Sequence, residues 1–260
     1  MKYIDRWAVH QKNRAYYKKK PFSDTVVIFI HGILEGSMQF RNLGAIAYKE
    51  GYSISLLLLP GHGETGEAFA EVNLKEWIDY VNKHIYQMQQ QYKHIILVGH
   101  SMGSLLAIGY AAHFPGKIEA LVLLALPLAI ELKPRVIKGA IKIATGKIPK
   151  KEPYVIAECK AISVGKTKGC TYIKWIPRYI ELFILIAYTR KQLKKIKKPV
   201  LIIQSKKDEF VSLKAIGVIQ SELSNSKTLL LEDSGHFCYH SSDIMKLELA
   251  FKRFLQEKNE

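Results

Sequence analysis

Short runs of uninterrupted apolar residues alternate with amphipathic segments along most of this chain. Apolar runs rich in β-branched residues are typical of strands that are buried on both faces of a parallel sheet. Between the runs, apolar residues recur at helical spacing, as in residues 74–91, where Trp77, Val81 and Ile85 share one face. The runs lie at residues 25–30, 53–59, 95–98, 120–126, 200–203 and 228–231. Strands that alternate with helices predict an α/β fold with a mostly parallel, doubly wound sheet.

Residues 128–188 interrupt this alternation. They contain scattered lysines, several glycines and prolines, and no clear strand. We therefore predict a core made of residues 1–127 and 189–260, with residues 128–188 inserted as a helical cap. Ahead of the first long strand, the basic and aromatic residues 1–22 predict either a short strand that closes the sheet edge or a mobile arm.

Ser101 is the first candidate for chemistry, because it directly follows one of the predicted strands. It is the middle residue of G-H-S-M-G, which runs from Gly99 to Gly103 and is followed by an apolar helix. On such a strand-to-helix turn the serine adopts an unfavourable backbone conformation, and its hydroxyl stands clear of the sheet. The two glycines leave room for the tight turn. This pattern indicates a nucleophile.

A serine nucleophile needs a base, and the base needs an acid that orients it. His236 lies in a Ser-Gly-His loop directly after the last strand, and Asp208 follows the strand before it. Both loops lie at the carboxyl ends of parallel strands, the edge at which such sheets bind their ligands. Glu209 and Asp233 are rival acids. We predict Ser101, Asp208 and His236 as the catalytic residues.

Two main-chain donors are expected to bind the oxyanion of the reaction. The amide of Met102 begins the helix after the nucleophile, where the helix N-terminus favours negative charge. The second donor is expected in the His31-Gly32-Ile33 loop after the first long strand, most simply the amide of Ile33. The alternative is that His31 and Gly32 only form a turn.

These residues together resemble the α/β-hydrolase superfamily. The chain order of Ser101, Asp208 and His236, the spacing Asp-x-x-Val after Asp208, and the L-P-G-H-G stretch at 59–63 match its pattern. Within the superfamily the sequence is most similar to the bacterial carboxylesterase and monoacylglycerol lipase group, whose members carry an inserted cap. The resemblance covers residues 26–126 and 200–255, and it implies a hydrolase that needs no cofactor and no metal. Because the cap matches only by position and helical character, the resemblance leaves the substrate open.

The net charge of +16 is concentrated in two segments. Residues 128–198 carry 18 Lys and Arg against 4 Glu, and residues 1–20 carry 7 against a single Asp. The cap also contains apolar residues such as Ile176, Phe183 and Ile184, so its surface could attract anionic lipid or acidic acyl substrates. The alternative, which we favour, is that these apolar residues line the acyl pocket and pack on the core. No nucleic acid is expected, because no known binding motif accompanies the lysines.

No secretory signal or membrane span is predicted, and the three cysteines lack the spacing of a metal site, so we expect a cytoplasmic protein with free thiols. The hypothesis is a serine hydrolase that cleaves esters of short to medium acyl chains, or monoacylglycerols, through an acyl-enzyme. A thioesterase or lysophospholipase is the alternative on the same residues, and a non-catalytic binding protein is the alternative from another class. The oligomeric state stays open.

Overall fold

A seven-stranded sheet organises the molecule, in a computed structural model that describes residues 3–4, 13–145 and 151–258. The strands are β1 (Tyr3–Ile4), β2 (Tyr16–Lys18), β3 (Thr25–Ile30), β4 (Ser53–Leu56), β5 (His94–His100), β6 (Ile118–Leu124), β7 (Val200–Ser205), β8 (Ser226–Leu231) and β9 (Tyr239–His240). The sheet has the order β2-β4-β3-β5-β6-β7-β8. Within it β2 is antiparallel to β4, and every other neighbouring pair is parallel. The mostly parallel α/β sheet predicted from the sequence is confirmed.

Helices cover both faces of the sheet. They are α1 (Arg41–Lys49), α2 (Gly66–Glu71), α3 (Leu74–Gln89), α4 (Met102–His113), α5 (Pro134–Thr145), α6 (Pro153–Ala161), α7 (Ile176–Gln192), α8 (Lys214–Glu222) and α9 (Ser241–Gln256). Alternate residues of a strand face opposite sides. In β3, Val26 and Ile28 pack in the layer of α3, α4 and α8, whereas Val27 and Phe29 pack in the layer of α1 and α9. Burial on both sides explains why the strands are continuously apolar.

One edge strand of the sheet comes from residues 1–22, the segment that was predicted as a short strand or a mobile arm. β2 pairs with β4 there, and β1 pairs with β9 as a separate two-stranded ladder. The remainder of that prediction, residues 1–2 and 5–12, lies outside the described residues. The predicted strand at 53–59 ends at Leu56, and the helix predicted from Ser37 starts as a short 3-10 turn (Ser37–Phe40) before α1.

The inserted segment is helical and is anchored on α2. It holds α5, α6, a 3-10 helix (Gly169–Trp175) and the first part of α7, so the predicted boundary after residue 188 falls inside α7. Nε1 of Trp175 donates a hydrogen bond to the carbonyl oxygen of Gly66 at 2.9 Å, and its ring packs on Phe69 with centroids 5.0 Å apart. The guanidinium of Arg178 donates to the carbonyl oxygen of Ala70 at 3.2 Å. These contacts hold the N-terminal end of α7 against α2, while Ala157 and Ala161 of α6 pack with Phe237 and Cys238 beside His236.

Candidate active site

Ser101 lies on a tight turn between β5 and α4. Its backbone has φ 52° and ψ −122°, a conformation that residues other than glycine rarely adopt. Two glycines allow the backbones to meet in this turn. A Cβ at Gly99 would lie 2.5 Å from Ser104, and a Cβ at Gly103 would collide with the carbonyl oxygen of Ile30. The serine therefore has the strained position that the sequence pattern predicts.

The hydroxyl of Ser101 has no hydrogen-bond partner among the described residues, so the structure shows no hydrogen bond between Ser101 and His236. The amide of Ser101 donates to the carbonyl oxygen of Leu124 at 2.9 Å. The residue is buried, with 8% of its surface exposed. Because α4 starts at the next residue, the positive end of the helix dipole lies beside the hydroxyl oxygen.

The structure brings Asp208 and His236 together at the same edge. Oδ2 of Asp208 lies 2.9 Å from Nδ1 of His236, and both side chains are buried. Oδ1 of Asp208 accepts hydrogen bonds from the amides of Phe210 and Val211, each at 2.8 Å, so the carboxylate is held rigidly. Since a carboxylate only accepts, Nδ1 of His236 carries the proton and Nε2 is left to act as a base.

Two opposing effects act on the pKa of His236. Burial lowers it, but the charges of Asp208, Glu35 and Glu209 together with the hydrogen bond that His236 donates to Asp208 raise it to about 9. The pKa of Asp208 is lowered: burial would raise it, and the charge of His236 with its hydrogen bonds overcomes that effect. The carboxylates of Asp208 and Glu35 therefore favour the imidazolium form of His236, which must lose the proton on Nε2 before that atom can act as a base.

The two rival acids have other partners. Oε2 of Glu209 accepts a hydrogen bond from the amide of His236 at 2.8 Å and lies 3.7 Å from Nη2 of Arg135. Glu209 thus fixes the main chain of the histidine loop rather than its ring. Asp233 forms an ion pair with Lys207 at 2.6 Å.

Glu35, which sequence reasoning did not select, is a second buried carboxylate beside the histidine. Its Oε1 lies 3.9 Å from Nε2 of His236. The carboxylate accepts hydrogen bonds from the amide of Gly32 at 2.6 Å, from Nε2 of Gln39 at 2.6 Å and from Nδ1 of His100 at 2.8 Å. Burial would raise the pKa of Glu35, but His100 and the other partners lower it to about 2. The sequence signal was an acid within an apolar, glycine-containing loop.

Two neutral histidines hold the loop that contains Glu35. Nε2 of His31 accepts a hydrogen bond from the amide of Leu59 at 3.0 Å, and Nε2 of His62 accepts one from the amide of Leu34 at 3.1 Å. In both rings Nδ1 then donates to a main-chain carbonyl oxygen. Burial lowers the pKa of His31 to about 4 and that of His62 to about 3. The L-P-G-H-G stretch therefore supports this loop, a role that the sequence pattern did not reveal.

The amides of Ile33 and Met102 are both without an acceptor among the described residues. The neighbouring amide of Gly32 is engaged by Glu35, whereas no described group accepts from Ile33. Met102 is the first residue of α4, so its amide has no partner inside the helix. Gly103 packs against the main chain of residues 30–31, which brings the start of α4 against this loop. The two predicted oxyanion donors thus lie on adjoining segments.

The cap adds a carboxyl group to the site. Glu158 on α6 lies within range of the charges of Glu209 and His236. Burial, followed by repulsion from Glu209, raises the pKa of Glu158 to about 7. No described residue forms a hydrogen bond or ion pair with this carboxyl group. Burial and the charge of Glu158 also raise the pKa of Tyr179 to about 12, so the phenol stays neutral. No motif marks Glu158 in the sequence.

Within the described ranges, Glu35, His100 and His236 are the only three groups close enough to share a metal ion. Glu35 and His100 already face each other with a hydrogen bond of 2.8 Å. An ion would also occupy Nε2 of His236, the atom that a general base must keep open. This donor set therefore fits a hydrogen-bond network rather than a metal site.

Two named proteins are similar to this chain in sequence, and a solved structure is similar to it in fold. The chain is 33% identical over 99 residues to a protein named as an esterase/lipase in Mycoplasma pneumoniae, covering 38% of this chain and 36% of that protein. It thus spans about a third of the length of this relative. It is 26% identical over 186 residues to a thermostable monoacylglycerol lipase of a Bacillus species, 71% of each chain. A structure reported with the metagenome-derived lipolytic enzymes LipS and LipT has a TM-score of 0.72 at 20% identity, covering 93% of this chain and 98% of that one.

A family model matches most of the chain. It is described as "Serine aminopeptidase, S33", and the match covers residues 22–236. The matched region begins just before β3 and ends at His236, so it includes the nucleophile turn, the inserted cap and the Asp208 loop. With this match and with the fold described above, the chain belongs to this family of α/β-hydrolases.

Proposed function

We propose that the protein is a serine hydrolase that cleaves carboxylic esters of short to medium acyl chains, monoacylglycerols among them. The observation that carries the proposal is the strained Ser101 at the start of α4, on the same sheet edge as the hydrogen-bonded pair Asp208 and His236. The esterase/lipase and monoacylglycerol lipase names of two relatives support the ester as the bond that is cleaved.

The reaction begins when Nε2 of His236 takes the proton of the Ser101 hydroxyl and Oγ attacks the carbonyl carbon of the ester. The amides of Ile33 and Met102 donate to the oxyanion of the tetrahedral intermediate. The intermediate expels the alcohol, which receives the proton from His236, and the acyl group stays on Ser101. Water then attacks the acyl-enzyme, again losing its proton to His236, and the acid is released. Asp208 keeps the imidazole oriented in both halves.

Glu158 supports an alcohol with additional hydroxyl groups. The leaving alcohol must lie beside His236, because this residue protonates it. Glu158 lies on α6, which packs through Ala157 and Ala161 on Phe237 and Cys238 next to His236, and its carboxyl group has no partner among the described residues, so it is available to bind hydroxyl groups of the alcohol. A glycerol leaving group offers two such hydroxyls, which favours monoacylglycerols over esters of simple alcohols.

The test is the hydrolysis of p-nitrophenyl butyrate by the protein and by Ser101→Ala. Turnover should fall by at least about a thousandfold in the variant, because the nucleophile is lost, while its circular dichroism spectrum is retained. A fluorophosphonate probe should label the parent protein and leave the variant unlabelled. Undiminished turnover by Ser101→Ala would refute the assignment, and failure of the folded parent to label would favour a non-catalytic binding protein.

A substrate panel separates the alternatives on the same residues. Monoacylglycerols, lysolipids and acyl-CoA distinguish a glyceride lipase from a lysophospholipase and from a thioesterase. An aminoacyl amide belongs in the panel because of the family description and because the carboxyl groups of Glu158 and Glu209 suit a substrate ammonium. A higher kcat/KM for monoacylglycerol than for the others is expected.

The free thiols of the three cysteines support a reducing, cytoplasmic compartment for this activity.

A further inference from the structure

The solvent-facing side of α7 is apolar along most of its length. Its exposed positions recur at helical spacing, and the first charged residue among them is Arg190, near the C-terminal end. We define the apolar stripe as six exposed residues of α7 and the turn before it: Ile173, Ile176, Ile180, Phe183, Ile184 and Tyr188. Their exposed fractions range from 42% for Tyr188 to 68% for Ile173. A surface helix ordinarily carries polar side chains at such positions, and an apolar patch of this kind marks a docking surface.

The apolar stripe is not needed to build the core. The opposite side of α7 packs on the sheet layer through Leu185 and Ile186, which are buried. For the residues of the stripe, this corrects our favoured interpretation that the apolar cap residues line the acyl pocket and pack on the core. By contrast, Val136 is buried, and Tyr172 and Leu182 pack on the core. Trp175 is buried as expected, but the residues of the stripe are exposed.

An apolar groove continues the surface at the C-terminal end of the stripe. It lies between α3, α4 and α7 and has a volume of about 270 Å³. Leu105, Phe114, Leu185 and Tyr188 are among the residues that line it. The stripe and the groove therefore form one apolar surface that passes from α7 onto α4.

Unpaired positive charge lies at both ends of the apolar stripe. Lys174 is exposed at the N-terminal end, and Lys191, Lys194 and Lys195 are exposed at the C-terminal end. None of them has an acidic partner among the described residues. The acid on this part of α7, Glu181, forms an ion pair with Arg178 at 2.9 Å. Two copies docked stripe to stripe would bring these lysines near each other, whereas an anionic surface would attract all of them.

We propose that the apolar stripe docks the protein peripherally on the surface of a bilayer that contains anionic lipid. No helix in the described part of the chain is both long and apolar enough to cross a membrane, so α7 would lie in the interface with its stripe inserted. It runs from Trp175, which contacts α2, towards the start of β7 at the amino-terminal edge of the sheet. Docking therefore brings the Ser101 edge close to the lipid. The use of this closeness for hydrolysing lipid esters rests on the proposed function, but the docking itself does not.

The test uses the full chain with Ser101→Ala, so that no lipid is hydrolysed during the measurement. Sedimentation with vesicles should show binding to phosphatidylcholine mixed with phosphatidylglycerol, weaker binding to phosphatidylcholine alone, and loss of binding as salt is added. Adding Ile180→Ser and Phe183→Ser should weaken binding to the mixed vesicles at least about tenfold, because two inserted apolar side chains are lost.

The matched control adds Met245→Ser and Leu249→Ser on α9, which are also exposed but lie on the other face of the sheet. This variant should bind as tightly as its parent.

Absence of binding by the parent, or equal binding by the stripe variant, overturns the proposal. A dimer in sedimentation equilibrium without lipid that the stripe variant abolishes also overturns it, in favour of a second copy. A protein that hydrolyses p-nitrophenyl butyrate and ignores vesicles refutes only the docking, whereas one that binds vesicles without hydrolysis refutes only the proposed function.

Discussion

The imidazole of His236 lies between two buried carboxylates, and these determine its affinity for protons. Asp208 binds Nδ1 at 2.9 Å, and Oε1 of Glu35 lies 3.9 Å from Nε2. Both charges favour the imidazolium form, so they overcome burial and raise the pKa of His236 to about 9. A general base must be neutral. We therefore expect kcat/KM for an uncharged ester to rise from neutral to alkaline pH as this group loses its proton.

Replacing Glu35 with Gln should move the rising limb of this pH profile to lower pH. A negative charge near Nε2 stabilises the imidazolium, so its removal lowers the pKa of His236 and leaves more neutral base at pH 7. The measurement is kcat/KM for p-nitrophenyl butyrate across the neutral and alkaline range. Glu119→Gln is the control, because Glu119 is half-exposed beside His94 and distant in the sheet. If the rise of kcat/KM with pH is unchanged in Glu35→Gln, the charge of Glu35 does not affect the pKa of His236.

At the scale of single residues, sequence reasoning selected the groups that carry a local pattern. Ser101, Asp208 and His236 each lie in the loop or turn that follows a strand, and the structure brings Asp208 and His236 into contact. Glu158 carries no pattern of its own, and an acid in a glycine-containing loop is too weak a signal to select Glu35. Their positions depend on side chains that are distant in sequence, such as His100 for Glu35, so only the folded chain reveals them.

Among the elements, the junction of β5 and α4 is the least tolerant of change. Gly103→Ala should destabilise the protein by about 2 kcal/mol or more, because the added Cβ would collide with the carbonyl oxygen of Ile30. Gly109→Ala on the same helix is the matched control. A Cβ there meets nothing within 4 Å, so this variant should be more stable by about 0.5–1 kcal/mol. The midpoint of urea unfolding measures both, and equal midpoints would contradict the tight turn.

Strands and helices with a strong pattern of apolar residues could be predicted from the sequence. Short elements without such a pattern were not placed with certainty. The strand at 25–30 and the helix that starts at Leu74 were predicted correctly, since continuous apolarity and an Asn73–Glu76 capping box specify them locally. The helices α5 and α6 were not resolved from the sequence, because glycines and lysines obscure their apolar faces. The antiparallel β2 was predicted only as one of two alternatives, a short strand at the sheet edge or a mobile arm, because no local pattern encodes its pairing with β4.

Across the whole molecule, Trp175 is one of the residues that join the cap to the core. Ser163 and Gly165 are others, because their amides donate to the carbonyl oxygens of Leu34 and Glu64. Trp175→Ala should lower the free energy of unfolding by about 3–5 kcal/mol, because the ring packs on Phe69 and its Nε1 binds the carbonyl oxygen of Gly66. Trp175→Phe keeps most of the ring contact and should lose only about 1–2 kcal/mol. Tyr86→Ala removes an exposed ring on α3 and should change stability by less than about 0.5 kcal/mol. Urea unfolding distinguishes the three, and a small loss in Trp175→Ala would mean that the cap is held elsewhere.

The alternation of strands and helices was enough to predict the global architecture, and the positive charge pointed to the cap. The exposed side of α7 could not be predicted in the same way. Apolar residues at helical spacing indicate one buried face, yet in α7 both Leu185 on the buried side and Phe183 on the exposed side are apolar. Only the packing against α4 distinguishes the two sides.

The strained backbone of Ser101 also has a consequence for how the protein would change under selection. Glycine adopts a positive φ without steric cost, so Ser101→Gly relieves the strain of the turn while it removes the proposed nucleophile. A search for heat-resistant variants that ignored catalysis would therefore favour losing this serine. The proposed role of Ser101 in turnover explains why a residue that lowers the stability of the turn is present there.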